Sequence, residues 1–343
     1  MATYRDAGVD LDAADALVAR ITPAVTETWH EGVVGGFGGF AAGISVPPGY
    51  SDPVLMMSTD GVGTKATVAR AADLLDGLGW DLVAMCIDDL AAAGARPIAM
   101  TDYLAVGTLD VDRAERLVRS VAAACAAAGV ALLGGETAEH PGVMAPGEFD
   151  LAGAALGVVE RGREVDGTGI VAGDLIIGID SPNVRSNGFS LIRSAVLGAH
   201  PLTAPLPGLA LPAAETLLAP SVLYAPLVTR LLDEVPVKGM AHITGGGLPG
   251  NVARILTGCD AVIDSGAWDV PAVFEAIATV GGIERTEMFR TFNMGIGFVV
   301  VVSPGREDDA LGALSGGDRV TTVIGEITPG TGVVHISGEG RAG

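Results

Sequence analysis

Several apolar runs in this chain end in glycine and then present an acid, a hydroxyl or an amide. The densest is Ser58-Thr59-Asp60-Gly61-Val62-Gly63-Thr64-Lys65. Residues 54–60 read as a buried strand that delivers Asp60 to its end. Gly61 and Gly63 permit a tight turn of amide donors, and Thr64 and Lys65 add a hydroxyl and an ammonium. Carboxylate, amide turn and lysine together suit a metal-bound phosphate. The spacing is not that of a Walker A loop. A second acid pair is Asp88-Asp89. In a helix over 81–93, Leu82, Met85, Cys86 and Asp89 share one face, which predicts a buried Asp89. A buried carboxylate needs a partner, a hydrogen bond or a metal. Leu133-Gly134-Gly135-Glu136 again ends a strand in glycines and an acid. If Asp60, Asp89 and Glu136 converge, they offer hard oxygen ligands for Mg²⁺. The bland readings are a capped turn with a surface lysine, a carboxylate capping a neighbouring segment, and a solvated loop acid, the last preferred for Glu139.

Three further segments carry weaker signals. Gly35-Gly36-Phe37-Gly38-Gly39 is either a flexible loop or a close backbone approach to a ligand. Arg185-Ser186-Asn187-Gly188 opens a helix after a strand, a plausible anion site. His242-Ile243-Thr244-Gly245-Gly246-Gly247 opens another, with His242 as a base or as a satisfied core histidine.

The elements that must position these groups follow from pattern. Strands are expected at 97–106, 130–133 and 151–159. A helix capped by Asp110 or Asp112 carries Leu117, Val118, Val121 and Cys125 on one face and ends at Gly129. A second unit begins near 170, with a strand at 174–180 and a helix through 189–192. Residues 201–212 form a Pro-rich connection, 214–233 a helix, 251–256 a helix, and 298–302 a closing strand that 321–326 could join. The boundary is placed in 161–169. Irregular alternation favours two α+β (mixed α/β) domains over a barrel or one doubly wound sheet.

Composition removes several classes of function. Asp plus Glu number 41 and Lys plus Arg 20, a net charge of −21. Neither half is a basic module, so nucleic acid is excluded as a partner. Only Lys65 and Lys238 are lysines, which argues against a polybasic membrane patch. The uncharged stretches 32–51 and 194–214 are broken by glycine and proline and cannot span a membrane as helices. Residues 1–15 lack the apolar core of a signal peptide. Cys86, Cys125 and Cys259 have neither metal nor disulfide spacing and read as free thiols of a cytoplasmic protein.

Taken in order, these motifs resemble the aminoimidazole ribonucleotide synthetase (phosphoribosylformylglycinamidine cyclo-ligase) family. The resemblance rests on Tyr4 to Asp10, Gly35 to Gly39, Ser58 to Lys65, Asp89-x4-Gly94-Ala95-x-Pro97, Gly134 to Pro141, Ser186 to Arg193, His242 to Leu248 and Phe292 to Gly297. It implies ATP-dependent ring closure of formylglycinamidine ribonucleotide through phosphorylation of the formyl oxygen. It implies a homodimer whose N-terminal sheets join into a barrel with nucleotide near the interface. It also implies an ATP-binding and dimerisation domain over 1–165 and a sandwich-like substrate domain over 170–343. Carried over by motif, Asp60, Asp89 and Glu136 hold Mg²⁺–ATP and Lys65 neutralises phosphate. Gly36, Gly38, Gly61, Gly63, Thr64 and Gly135 approach the nucleotide. Ser186, Asn187, Gly188, Thr244, Gly245 and Gly246 line the substrate half, with His242 as acid, base or orienting residue. Two positions depart from the pattern. Asp88 stands where many members have Asn, and Arg185 where many have His. Arg185 does not deprotonate, so it suits a phosphate clamp better than a base. Related selenophosphate synthetases look for a reactive Cys near the N-terminus, where the first here is Cys86. Thiamine-phosphate kinases carry Gly-Asp-Asp where this chain reads Thr59-Asp60-Gly61.

Overall fold

The computed structural model describes residues 3–315, 318–338 and 341–342. The chain divides into two compact units, Met1–Leu90 with Ala95–Gly162, and Ala91–Gly94 with Arg163–Gly343.

The first unit is built on four strands, β1 (Pro53–Gly61), β2 (Arg96–Val106), β3 (Ala131–Glu139) and β4 (Phe149–Glu160), in the order β1-β4-β2-β3. β4 pairs antiparallel with β1 and β2, while β2 and β3 are parallel. That parallel step requires a crossover, supplied by helix α4 (Val111–Ala128). Asp110 caps it by accepting from the Arg113 N–H, and Gly129 ends it in the left-handed region. Its buried face includes Leu117, Val118, Val121 and Cys125, as the spacing predicts.

Helix α1 (Leu11–Glu27), which pattern reading misses, packs beside α4. Asp10 caps it, and Leu17, Ile21 and Val25 form its buried stripe. Pro23 inside the helix and Asp12 and Asp15 around its start mask the periodicity. Helix α2 (Lys65–Ala72) follows β1, and α3 (Leu78–Ala92) follows α2.

α3 is buried almost all round, not along one stripe. Asp88 is therefore the fully buried acid and Asp89 the half-buried one, the reverse of the emphasis expected from an amphipathic helix. The glycines of β4 let α3 settle on the sheet. A Cβ at Gly153 would stand 2.5 Å from Met100 Cε and 3.3 Å from Leu82. The opposite face of the sheet is open, with Leu55, Met57 and Tyr103 exposed.

The second unit holds a six-stranded sheet of β5 (Leu175–Asp180), β6 (Gly239–His242), β7 (Cys259–Asp264), β8 (Ile296–Val302), β9 (Thr321–Pro329) and β10 (Val334–Ser337). Its order is β10-β7-β9-β5-β8-β6, with only the β10–β7 pair parallel. All seven residues of β8 are buried, so the strand expected near 298–302 is an inner one.

The helix expected over 214–233 is two pieces, Ala213–Leu217 and α5 (Ala225–Glu234). Pro220 lies between them and breaks the ladder. The expected helix at 251–256 begins earlier, as α6 (Gly247–Val252). Helices α7 (Ala272–Gly281), α8 (Arg285–Thr291) and α9 (Glu307–Leu314) complete the unit. Among the described residues no helix is long and apolar enough to cross a membrane.

Replacing Gly153 by Val drives a branched side chain into Met100 and Leu82. Overpacking of this kind costs about 1–3 kcal/mol. The urea midpoint of Gly153→Val should fall accordingly, and an unchanged midpoint would show that α3 can move away.

Candidate active site

β1 ends where pattern predicts. The Asp60 carboxylate accepts from the Gly61 N–H at 2.7 Å. Gly63 adopts φ +67, a left-handed conformation that suits glycine, and the chain turns into α2. The Asp60 and Asp89 carboxylates both act on the Cys86 thiol. Burial pushes that thiol up to about 12, a backbone hydrogen bond at Asp60 opposes the rise, and the Asp60 and Asp89 carboxylates add to it. Two carboxylates suit Mg²⁺ carried by phosphates, since that ion keeps water and phosphate oxygens and takes one or two carboxylates. Among the described residues no group of three or more His, Cys, Asp or Glu is arranged around one metal position.

Glu136 is not beside this pair. It lies on β3, and β1 and β3 are opposite edges of the sheet. Three strand spacings separate them, about 14 Å. Glu136, Gly135, Gly36 and Gly38 instead gather around a cavity of about 660 Å³.

Lys65 turns inward. Its ammonium is 2.7 Å from an Asp81 carboxylate oxygen, and both side chains are 0% exposed. Asp81 occupies the first turn of α3, where the helix dipole favours an anion. The ion pair therefore fastens the start of α2, and with it the turn from Asp60 to Thr64, to the helix that carries Asp89. The positive charge expected at a phosphate is committed to a buried carboxylate.

The second unit assembles the remaining motifs. Arg185 is buried and, unusually for a side-chain-bearing residue, has φ +63. Its guanidinium donates to the Val222 carbonyl at 3.0 Å and lies over the Tyr224 ring at 4.7 Å. Its Nη2 is 2.9 Å from His242 Nε2. Arginine has donors only, so Nε2 accepts and the ring proton sits on Nδ1. His242 also pairs with Phe298 across β6 and β8, with the rings stacked.

The Ser186 Oγ and Asn187 Oδ1 atoms are buried and have no hydrogen-bond partner among the described residues. Buried polar atoms left without partners are costly and call for water or a ligand to complete the set. Asn187 faces Gly245, whose added Cβ would lie 3.8 Å from Nδ2. Thr244 and Gly246 sit in the same turn, which Asn251 ties down by donating to the Gly247 carbonyl at 2.8 Å. Gly188 has no room for a side chain, because a Cβ there would enter the Phe292 ring.

Asp102 escaped pattern reading. It is an acid in the middle of an apolar strand, which was the available signal. Burial pushes its carboxyl from 3.8 up to about 7, opposed by a hydrogen bond at its own backbone.

Residues 40–159 match the family described as AIR synthase related protein, N-terminal domain, and residues 171–337 match the corresponding C-terminal domain. The chain belongs to the AIR synthase family. Among its relatives, the phosphoribosylformylglycinamidine cyclo-ligase of Anaeromyxobacter sp. (strain Fw109-5) is 48% identical over 96% of this chain and 97% of the relative. That of Burkholderia ambifaria (strain MC40-6) is 46% identical over 99% and 95%. Thiamine-monophosphate kinase from Stenotrophomonas maltophilia K279a superposes with a TM-score of 0.69 at 21% identity, covering 98% of both chains. Hydrogenase maturation protein HypE in complex with ATP superposes at 0.68 and 18% identity, covering 95% and 90%. These two likenesses establish a shared fold.

Two outcomes are expected from the site's electrostatics. Removing one partner of a buried ion pair costs about 3–5 kcal/mol. Lys65→Met should therefore lower the urea midpoint far more than removal of the exposed Arg161 partner of Asp52. Equal losses would show that the pair is solvated. For Asp102, a carboxyl raised by folding stabilises the native state most when protonated. That contribution is full below pH 3.8 and is lost as pH rises through about 7. Asp102→Asn removes it. Relative to wild type, the variant should gain up to roughly 4 kcal/mol between pH 4 and 8. Urea melts across that range would refute this if the difference stayed flat.

Proposed function

We propose that this chain is an ATP-dependent cyclo-ligase that converts formylglycinamidine ribonucleotide to aminoimidazole ribonucleotide, ADP and phosphate in purine biosynthesis. The observation that carries the reading is near-full-length similarity at 46–48% identity to enzymes named for that reaction. Asp60 and Asp89, both of which act on Cys86, and the orphaned Ser186 and Asn187 atoms support it. ATP phosphorylates the formyl oxygen, which makes a poor leaving oxygen into a good one. A nitrogen of the same substrate then attacks the activated carbon, the imidazole ring closes and phosphate leaves. Holding nucleophile and carbon close supplies much of the rate.

Asp60 and Asp89 would hold Mg²⁺, which neutralises charge on the transferring phosphoryl group. The Gly61–Thr64 turn offers amide donors beside them, and Lys65 keeps that turn in place from within. Ser186, Asn187 and the turn at Thr244–Gly246 would receive polar groups of the substrate. His242, with its proton on Nδ1, is the candidate acid, base or orienting residue, and Arg185 holds it there. A cytoplasmic location fits the free buried thiols and the small soluble substrates.

The proposed assembly is a homodimer joined through the first unit's sheet, curled as a half-barrel. Its open face presents Leu55 at 54%, Met57 at 75% and Tyr103 at 41% exposure. Apolar side chains grouped on one sheet face suit burial against a second copy. In such a dimer the β1 and β3 edges of the two chains could approach, which gives Glu136 a route to a nucleotide site it does not reach within one chain.

Purified protein with Mg²⁺, ATP and formylglycinamidine ribonucleotide should release ADP and phosphate and form the aminoimidazole product. ATP binding without turnover would favour a nucleotide-binding scaffold that kept the fold. Asp60→Asn and Asp89→Asn should each lower kcat at least about 100-fold with little change in melting, as expected when charge stabilisation at a transferring phosphoryl group is lost. Met57→Asp should convert the dimer to monomer in light scattering, and a dimer that persists would move the interface elsewhere.

A further inference from the structure

Among the described residues Asp73, Arg185 and Met294 are the side-chain-bearing ones with left-handed φ. Two of them, Arg185 at +63 and Met294 at +49, stand in the second unit. Such residues resist that conformation, so their surroundings must hold them in it. In both cases an asparagine does so. Asn183 Oδ1 accepts from the Arg185 N–H at 3.1 Å, and Asn293 Oδ1 accepts from the Gly295 N–H at 2.8 Å. Each side-chain amide closes a turn in place of a backbone carbonyl.

The two turns are chained. Asn293 Nδ2 donates to the Asn183 carbonyl at 2.9 Å, and Asn183 Nδ2 donates to the Pro220 carbonyl at 2.7 Å. The Asn183 amide has one workable orientation, because its oxygen meets an N–H and its nitrogen meets a carbonyl. Asn183 is 8% exposed, so losing its side chain leaves buried donors and acceptors unsatisfied.

Pro220 belongs to the irregular stretch 218–224 that leads into α5. The same stretch carries both groups on which the Arg185 guanidinium rests, the Val222 carbonyl and the Tyr224 ring. Asn183 therefore fixes Arg185 twice, through its backbone and through the surface beneath its head group. Arg185 in turn reaches His242, and its backbone runs directly into Ser186 and Asn187.

We propose that Asn183 is a positioning residue: its amide clips the loop 181–188 to the stretch 218–224, and so sets the tautomer of His242 and the aim of Ser186 and Asn187 at the substrate. The part this plays in catalysis rests on the cyclo-ligase reading. The clip itself does not.

The test uses the full chain as wild type, Asn183→Ala, Arg185→Gly and the double variant. Nitrogen NMR without ligand at about pH 8, where an unperturbed histidine is neutral, reads the His242 ring. Its signals are assigned by their loss in His242→Gln. Wild type should show one tautomer, with the proton on Nδ1, and Asn183→Ala should show both. Calorimetry should find formylglycinamidine ribonucleotide bound about 10-fold more weakly by Asn183→Ala, with Mg²⁺–ATP affinity held within about 2-fold. A merely structural role would lower the melting temperature and leave the tautomer and this split alone. Glycine takes a left-handed φ unaided, so in the Arg185→Gly background Asn183→Ala should weaken substrate binding by less than about 3-fold. The proposal is overturned by a single wild-type tautomer in Asn183→Ala, by substrate affinity within about 2-fold of wild type, or by equal losses in both backgrounds. If Asn183→Ala melts below the assay temperature, Asn183→Asp replaces it, since it turns an oxygen toward the Pro220 carbonyl. A wild type that fails to bind or to convert the substrate would sink the cyclo-ligase reading, while the ligand-free tautomer comparison still judges the clip.

Discussion

An ion pair with no access to water joins the first turns of α2 and α3. Lys65 and Asp81 are both fully buried, and neither helix can shift without separating them. Such a pair adds little net stability compared with well-packed apolar residues, yet losing one partner is expensive. What it supplies here is placement. α2 begins where the turn from Asp60 ends, and α3 carries Asp89 two turns beyond Asp81. The geometry of both candidate magnesium ligands thus depends on a contact that touches neither. The lysine that pattern reading sends to a phosphate serves the site from behind.

The second unit follows a similar logic with different chemistry. Arg185 is held in a left-handed backbone conformation, under a tyrosine ring and against a carbonyl, and its remaining reach goes to His242. One side chain that looked like a clamp for substrate orients another. Ser186 and Asn187, its immediate neighbours, keep polar atoms unsatisfied.

Much of this was legible in the chain itself. The strand ending in Asp60 and the helix after Asp110 were readable because local signals agree: an apolar run or stripe, a cap and a glycine stop. The ordered glycine motifs pointed to the family for the same reason. Other features depend on contacts between distant segments. Nothing near Lys65 reveals that Asp81 will neutralise it. Nothing near Glu136 reveals that strand order will place it across the sheet from Asp60. α1 was hidden by Pro23, and the extension of β3 through Gly134 and Gly135 by glycines that usually end strands. Asp102 was readable only as an oddity, an acid in an apolar strand.

With Lys65 sealed inside, the positive half of the surface is made almost wholly of guanidinium. Lys238, the other lysine, is a quarter exposed and bound to Asp174 at 2.7 Å. Guanidinium does not deprotonate in the range where an ammonium does. The molecule's positive charge therefore changes little across the alkaline range, and amine-directed labels or modifying enzymes meet a surface with almost no lysine to take.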